Sequence, residues 1–177
     1  MRVTLDCLTP DLDEQVSRMK DDGLDFMGVA HVGKTTRDLG RHFADSFDSS
    51  LIYLPSLDRR NAVSKPVICF MNNLYKFLPV PILRILSESY KKIYCGSERF
   101  LPENIPADLP GAFNLGHLLI VDDNSLTGAT FETWKEEIGR VSSSSITTFS
   151  ITATGDYRPD YFCYDSWRSF SWRPIGI

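Results

Sequence analysis

Disulfide scaffolds, zinc ribbons, membrane spans and nucleic-acid binders leave marks that this 177-residue chain lacks. Its four cysteines, Cys7, Cys69, Cys95 and Cys163, are scattered and form no CxxC pair. That argues against zinc and makes a reduced, intracellular protein the simplest reading. An excess of one charge is missing too. Nineteen basic residues against 23 acidic ones leave a net charge of −4, so neither nucleic acid nor an acidic membrane surface is an expected partner. The only apolar stretch long enough to consider as a span is 66–87. It contains Asn72, Asn73, Lys76 and Arg84 and is broken by Pro79 and Pro81, which argues for a buried or interface element instead. The opening residues MRVTLDCLTPDLDEQ carry acids where a signal peptide would be apolar, so a cytoplasmic location is expected. Internal repeats are absent, and the only low-complexity tract is SSSS at 142–145.

What is present suits one globular domain over 1–177. Hydrophobic residues make up 42% of the chain and aromatics 12%, outside the range of disordered proteins. Val3, Leu5 and Cys7 alternate as in a short strand. Thr9-Pro10-Asp11 then reads as a helix start, with Leu12, Val16 and Met19 on one face and Gly23 at the end. DFMGVA (25–30) reads as a buried strand, HVGKT (31–35) as a tight loop, and Leu39, Phe43 and Phe47 as one face of a helix. SSLIYL (49–54) is a further strand. Strand, helix, strand predicts a parallel sheet.

The stretch 55–116 is less regular, with a candidate strand PVICFM, a helix from Pro81 bearing Ile82, Leu86, Tyr90 and Ile93, and the proline-rich LPENIPADLPG. A strand at 117–121 is followed by a helix bearing Phe131, Trp134 and Ile138 and stopped by Gly139. ITTFSIT (146–152) is the next strand, and the aromatic DYFCYDSWRSFSW comes near the end of the chain. Trp134 reads as core.

The stretch HLLIVDDNSLTGAT (117–130) carries the chemistry. A strand too apolar to lie anywhere but in the sheet centre ends on Asp122 and Asp123. Ligands of open parallel sheets collect at that end. Two adjacent carboxylates there repel each other and call for partners such as hydroxyls, a cation or both. A sugar diol or a magnesium-bound sugar supplies them. The following loop, 124–130, turns into a helix, so backbone N–H groups and the helix N-terminus converge on one spot. Ser125, Thr127 and Thr130 add hydroxyls, and Gly128 lets the backbone approach closely. Diol beside phosphate is the geometry of a ribose 5-phosphate. No lysine follows the glycine as in a Walker A loop, and there is no GxGxxG. An ordinary strand–loop–helix junction capped by Thr130 accounts for the threonine but not for the paired acids.

LLIVDDNSLTGAT resembles the thirteen-residue phosphoribosyl-pyrophosphate (PRPP) motif of type I phosphoribosyltransferases. GVAHVGK (28–34) sits where that family has its pyrophosphate loop. RPDYFCYDSWRSFSWRP (158–174) resembles the hood that closes over the base in xanthine- and guanine-type purine phosphoribosyltransferases. The resemblance implies an α/β fold: a central parallel sheet flanked by helices, with a core at about 24–54 and 117–152. To this it adds an expanded middle segment holding the mobile loop (55–116) and a carboxyl-terminal hood (153–177).

It also implies roles. Asp122 and Asp123 would be the catalytic residues, binding the ribose hydroxyls of PRPP, partly through Mg2+. Asn124, Ser125, Leu126, Thr127, Gly128, Ala129 and Thr130 would cradle the 5-phosphate. The backbone of His31, Val32 and Gly33 would hold pyrophosphate, with Lys34 as an extra cation. Trp167 would stack on the base, near the Arg168 backbone. His31 and Lys34 also read as a surface histidine and a solvated lysine, and Trp167 and Trp172 as core aromatics.

Three positions depart from the 6-oxopurine pattern. Leu126 stands where those enzymes carry an aspartate that manages a base proton, and leucine accepts none. No lysine occurs beyond Lys135 to meet the purine O6, a part Arg158 would have to take. Arg173 stands where an acid helps hold magnesium. The expected activity is transfer of 5-phosphoribosyl from PRPP to a purine-like base with release of pyrophosphate. The alternative is a PRPP- or nucleotide-binding regulator on the same fold without transfer. The middle segment reads as a subunit interface or altered lid, with VPIL (80–83) in the contact, so a homodimer or higher homo-oligomer is expected.

Overall fold

The apolar positions of the central strand face both ways, which forces a layer of helix onto each side of the sheet. The computed structural model describes residues 2–3, 5–59, 99–100, 116–125, 127–153, 157–165 and 169–170. In chain order the elements are β1 (Arg2–Val3), α1 (Leu5–Asp21), β2 (Gly28–Val32), α2 (Arg37–Ser46), β3 (Ser50–Leu54), β4 (Asp58–Arg59), β5 (Arg99–Phe100), β6 (His117–Ser125), α3 (Ala129–Val141), β7 (Ser145–Ala153), β8 (Tyr161–Tyr164) and β9 (Ser169–Phe170). Five strands form one sheet in the order β3-β2-β6-β7-β8, and every pairing in it is parallel. β1 pairs with β9 in parallel, and β4 pairs antiparallel with β5, the latter two both within the middle segment.

On one face, Val29, Leu119, Val121, Phe149 and Ile151 pack beneath Leu8, Leu12, Val16 and Met19 of α1 and Leu39, Phe43 and Ala44 of α2. On the other, Ala30, Val32, Ile52, Leu54, Leu118 and Ile120 meet Phe131, Trp134 and Ile138 of α3. Leu119 and Ile120 are adjacent, fully buried and in opposite layers. Cutting either to alanine would cost about 2–5 kcal/mol. The edge strand β8 is tied to α1: the Tyr161 hydroxyl donates to Asp22 at 2.5 Å, the Tyr164 hydroxyl donates to Asp11, and the Arg18 guanidinium lies over the Tyr161 ring.

The structure moves several expected boundaries. The strand expected from Val3 to Cys7 is cut to β1, which ends at Val3, and a helix starts at Leu5, leaving Pro10 inside α1. Pro10 gives up its bond to the Asp6 carbonyl, but the earlier turn buries Leu8 completely. That burial returns roughly 1.5–3 kcal/mol, the order of the ~3 kcal/mol that proline costs inside a helix.

At the other end Gly23 closes the helix as expected. Its φ is +75°, and it donates to the Lys20 carbonyl while Leu24 donates to that of Met19. Gly139 does not stop α3. Ion pairs from Glu136 and Glu137 to Arg140 span it, and the Ser142 N–H closes the helix on the Ile138 carbonyl. The candidate strand at 66–71 and the helix from Pro81 lie outside the described residues.

Candidate functional site

The chain runs from β2 outward to β3, and later from β6 outward in the opposite direction to β7 and β8, so the strand order reverses between β2 and β6. These two strands are direct neighbours, with His31 level with Val121. Their carboxyl ends therefore open on one crevice, the place where open parallel sheets bind ligands. The sequence put its two candidate loops at these two ends.

The β2 side is shorter than expected as a loop. His31 and Val32 belong to the strand, level with Tyr53 and Leu54 of β3, and both are buried. His31 is thus not a surface-loop histidine, and its backbone and that of Val32 lie in the sheet. Its Nδ1 lies 2.9 Å from the Gly33 carbonyl oxygen, which can only accept, so Nδ1 carries the proton. Burial is the largest influence on its pKa and lowers it; the Gly33 bond and Asp38 work the other way, while Arg37 adds to the lowering. His31 is therefore neutral at pH 7.

The true turn is 33–36. Gly33 has φ +74°, its N–H donates to the Leu54 carbonyl at 2.7 Å, and a Cβ there would fall 2.4 Å from the Ser56 hydroxyl oxygen. No side chain fits that backbone. The buried Thr36 hydroxyl donates back to the Val32 carbonyl at 2.7 Å and closes the turn onto α2. Lys34 projects to solvent at its tip. Thr36 was missed by sequence reasoning; a hydroxyl residue three positions past the glycine, just before a helix, was the available signal.

On the β6 side the strand does not end at the acids but runs on to Ser125, with Asn124 level with Thr152 and Ser125 with Ala153. The Thr152 hydroxyl donates to the Asn124 side-chain carbonyl at 2.7 Å, which extends the pairing past the acids. Because successive strand residues face opposite ways, Asp122 and Asp123 turn to opposite sides of β6. Their mutual repulsion is relieved by geometry as well as by partners. The Asp123 N–H donates to Asp122 Oδ1 at 2.8 Å; Asp122 is half-buried and Asp123 is only 3% exposed. Ser125 is equally buried, and its hydroxyl has no hydrogen-bond partner.

Gly128, with φ +70°, is the N-cap of α3, and no side chain caps that helix. Thr127 Oγ1 accepts the Ala129 N–H at 3.4 Å, a long contact. Thr130 lies in the first turn and is not the cap, so the capping explanation of that threonine falls. Thr127, Gly128, Ala129 and Thr130 thus form a turn with the N-terminus of a thirteen-residue helix behind it. That arrangement suits an anion.

Hard oxygen donors on Asp122 and Asp123 suit magnesium carried by a phosphosugar. Among the described residues no three His, Cys, Asp or Glu side chains gather as a metal-holding group.

Two residues of the later segment reach the same end of the sheet. One Arg158 guanidinium nitrogen donates to the carbonyl of Ala153, the last residue of β7, at 2.7 Å, and the group lies over the Phe162 ring. Tyr157, which sequence reasoning passed over, lies against Gly128. Lys135, the last lysine of the chain, donates to the Tyr157 hydroxyl at 3.2 Å and pairs with Glu132. Burial works to lower its pKa, but the Tyr157 bond and the charges of Tyr157, Asp160 and Glu132 prevail, and the net shift is upward. Leu126, Trp167, Arg168, Trp172 and Arg173 lie outside the described residues.

No protein-family model matches the chain, and no curated protein matches it at a significant level. Solved structures do. A purine phosphoribosyltransferase from Pyrococcus horikoshii is 14% identical with a TM-score of 0.65, over 100% of this chain and 95% of that one. A xanthine-guanine-hypoxanthine phosphoribosyltransferase from Helicobacter pylori is 12% identical with a TM-score of 0.59, over 97% and 93%. A hypothetical protein from Neisseria gonorrhoeae with bound ppGpp is 9% identical with a TM-score of 0.62, over 99% and 89%.

Proposed function

Taking the type I phosphoribosyltransferase fold as the premise, we propose that the chain transfers 5-phosphoribosyl from PRPP to a nitrogenous, purine-like base and releases pyrophosphate. One observation carries this reading. The 33–36 turn and the acid-bearing 122–130 segment, read separately in the sequence, stand at the carboxyl ends of adjacent parallel strands where the strand order reverses.

In this reading Asp122 and Asp123 accept hydrogen bonds from the hydroxyls of a ribose held near the carboxyl end of β6. The 5-phosphate lies in the 124–130 segment, with the first amides of α3 as its chief donors. Pyrophosphate lies at the 33–36 turn, beside the N-terminus of α2 and the Lys34 ammonium. The C1–O bond breaks and its electron pair leaves with pyrophosphate, while a base nitrogen forms the new bond to C1 and later gives up its proton. Leu126 cannot take that proton, so it passes to solvent or to another group on the acceptor. The protein's share is alignment, stabilisation of the departing charge and exclusion of water. Asp122 and Asp123 would hold magnesium when it is bound with PRPP, and the ion would supply further neutralising charge.

Arg158, fixed at the end of β7, is the cation available to an acceptor carbonyl, and Trp167 with the Arg168 backbone would cover the base. A cytoplasmic homodimer or higher homo-oligomer completes the proposal. No described helix is long and apolar enough to cross a membrane.

The test is pyrophosphate release from PRPP and magnesium against a panel of purines, pyrimidines and related heterocycles. Release with one acceptor supports transfer and names the substrate. Leu126, and the ppGpp named for the Neisseria structure, favour a second reading, a nucleotide-binding regulator without transfer. No release, with a melting temperature that rises on adding PRPP or a nucleotide, selects that second reading.

A further inference from the structure

We propose that Tyr157 is a positioning residue for the phosphate turn, holding residues 127–130 in their binding shape with its ring. The inference rests on the PRPP-binding reading above. A Cβ built on Gly128 would fall 2.1 Å from both Cγ and Cδ2 of Tyr157 and 2.7 Å from Cδ1. The ring therefore occupies the space a side chain at position 128 would need. Gly128 is the left-handed N-cap of α3, and no side chain caps that helix. Thr127 Oγ1 gives the Ala129 N–H only a long 3.4 Å hydrogen bond, and Gly128 itself carries no side-chain oxygen of the kind by which N-caps ordinarily hold the first turn. The flat face of an aromatic ring takes that part here.

The ring itself is fixed from three directions. It stacks on Phe131, one turn into α3, with centroids 5.9 Å apart and planes 24° apart. Its hydroxyl accepts from Lys135, one turn further on. Its chain neighbour Arg158 is anchored to the Ala153 carbonyl, and Asp160 accepts from both the backbone N–H and the hydroxyl of Thr148, at 2.8 Å each. Tyr157 thus lies along α3 from Gly128 to Lys135, on a segment pinned to β7. It joins the first part of the segment expected to form the hood to the turn that would hold the 5-phosphate.

The measurement is calorimetric binding of PRPP, ribose 5-phosphate and inorganic pyrophosphate, each with magnesium, to the full chain and to Tyr157→Leu and Tyr157→Phe. Tyr157→Leu should weaken PRPP and ribose 5-phosphate about tenfold or more and leave pyrophosphate within about twofold, since pyrophosphate is assigned to the other turn. Tyr157→Phe, which keeps the ring, should stay within about twofold for all three. If Tyr157→Leu does not melt cooperatively, Tyr157→Met carries the same test. It keeps the apolar contact with Phe131 but gives up the flat face on Gly128.

Wild-type affinity for the sugar phosphates in Tyr157→Leu overturns this inference alone. So does an equal loss for pyrophosphate, which would mean general loosening. Tighter sugar-phosphate binding also overturns it, because the ring would then be obstructing the turn. A wild-type chain that binds none of the three ligands overturns the transferase reading and this inference together.

Discussion

Alanine in place of Gly40 sets two opposed effects against each other, and the structure decides between them. Gly40 lies in α2, where glycine is a poor helix former; replacing it with alanine should add about 0.8–1.0 kcal/mol of helix propensity. Against this, the new Cβ would stand 2.7 Å from the His31 Cβ, 3.3 Å from its Cγ and 3.1 Å from Leu51 Cδ1. Leu51 is partly exposed and its methyl can swing away. The His31 Cβ cannot. It is the first side-chain atom on a buried central strand, and its ring is held by the Gly33 carbonyl. The helix must therefore lift from the sheet, and overpacking of this kind costs about 1–3 kcal/mol.

The net effect is a loss of about 1 kcal/mol, seen as a fall in melting temperature of roughly 2–4 °C for a chain of this length. Position matters as much as magnitude. Gly40 donates to the carbonyl of Thr36, the residue that closes the 33–36 turn, so the lift displaces that turn. Pyrophosphate affinity should fall several-fold, with ribose 5-phosphate affinity unchanged. Thermal melting and calorimetry on the same preparation check both. A Gly40→Ala chain that melts above wild type and binds pyrophosphate normally would show that helix propensity won, and that α2 does not rest on β2 as tightly as described.

Asp122→Asn combined with Asp123→Asn should leave the fold intact, since an amide oxygen at 122 can still accept the Asp123 N–H. PRPP affinity should drop at least about a hundredfold, from two charge-assisted hydrogen bonds at ~1.5–3 kcal/mol each; calorimetry and far-UV dichroism read the two outcomes. The Tyr161 phenol is pushed up to about 12 by burial, then by its bond to Asp22 and the charge of that carboxylate. The neutral phenol is favoured in the folded chain, so its contribution is fully present below the ordinary value of 10 and lost as pH rises towards 12. The melting temperature should fall more steeply between those pH values in wild type than in Tyr161→Phe. The Cys163 thiol is likewise raised to about 12, by burial first and then by Asp11 and Glu14. With Cys7, Cys69 and Cys95 changed to serine, native protein at pH 8 should resist a thiol reagent that labels it rapidly once denatured.

The sheet was legible because apolar runs and helical spacing are local signals. The strands around Val29, Ile52, Ile120 and Phe149, and the helices marked by Leu39 and Phe43 and by Phe131, Trp134 and Ile138, fall where those patterns put them. Boundaries were less legible wherever a distant partner sets them. Pro10 looks like a helix start until the burial of Leu8 is counted. His31, polar and two residues before a glycine, looks like loop until Tyr53 is placed opposite it and its nitrogen is satisfied by that glycine's carbonyl. Gly139 looks like a stop until the charges that span it are seen.

At the site, the identity of the acids was readable but their geometry was not, and the difference changes the chemistry. Two carboxylates in a loop would crowd one spot and compete for one cation. Held inside a strand that continues to Ser125, Asp122 and Asp123 are turned to opposite sides, and the Asn124–Thr152 hydrogen bond keeps the strand from ending early. Thr152 lies 28 residues from Asn124, beyond the reach of any local pattern. The same extension moves Asn124 and Ser125 out of the expected loop, so anion binding falls more heavily on the turn at 127–130 and the first amides of α3. The ring against Gly128 comes from Tyr157, supplied from beyond β7. If that turn binds the phosphate, its shape depends on contacts with the later segment, and acceptor-side changes such as those at 157–160 should alter PRPP affinity without touching PRPP.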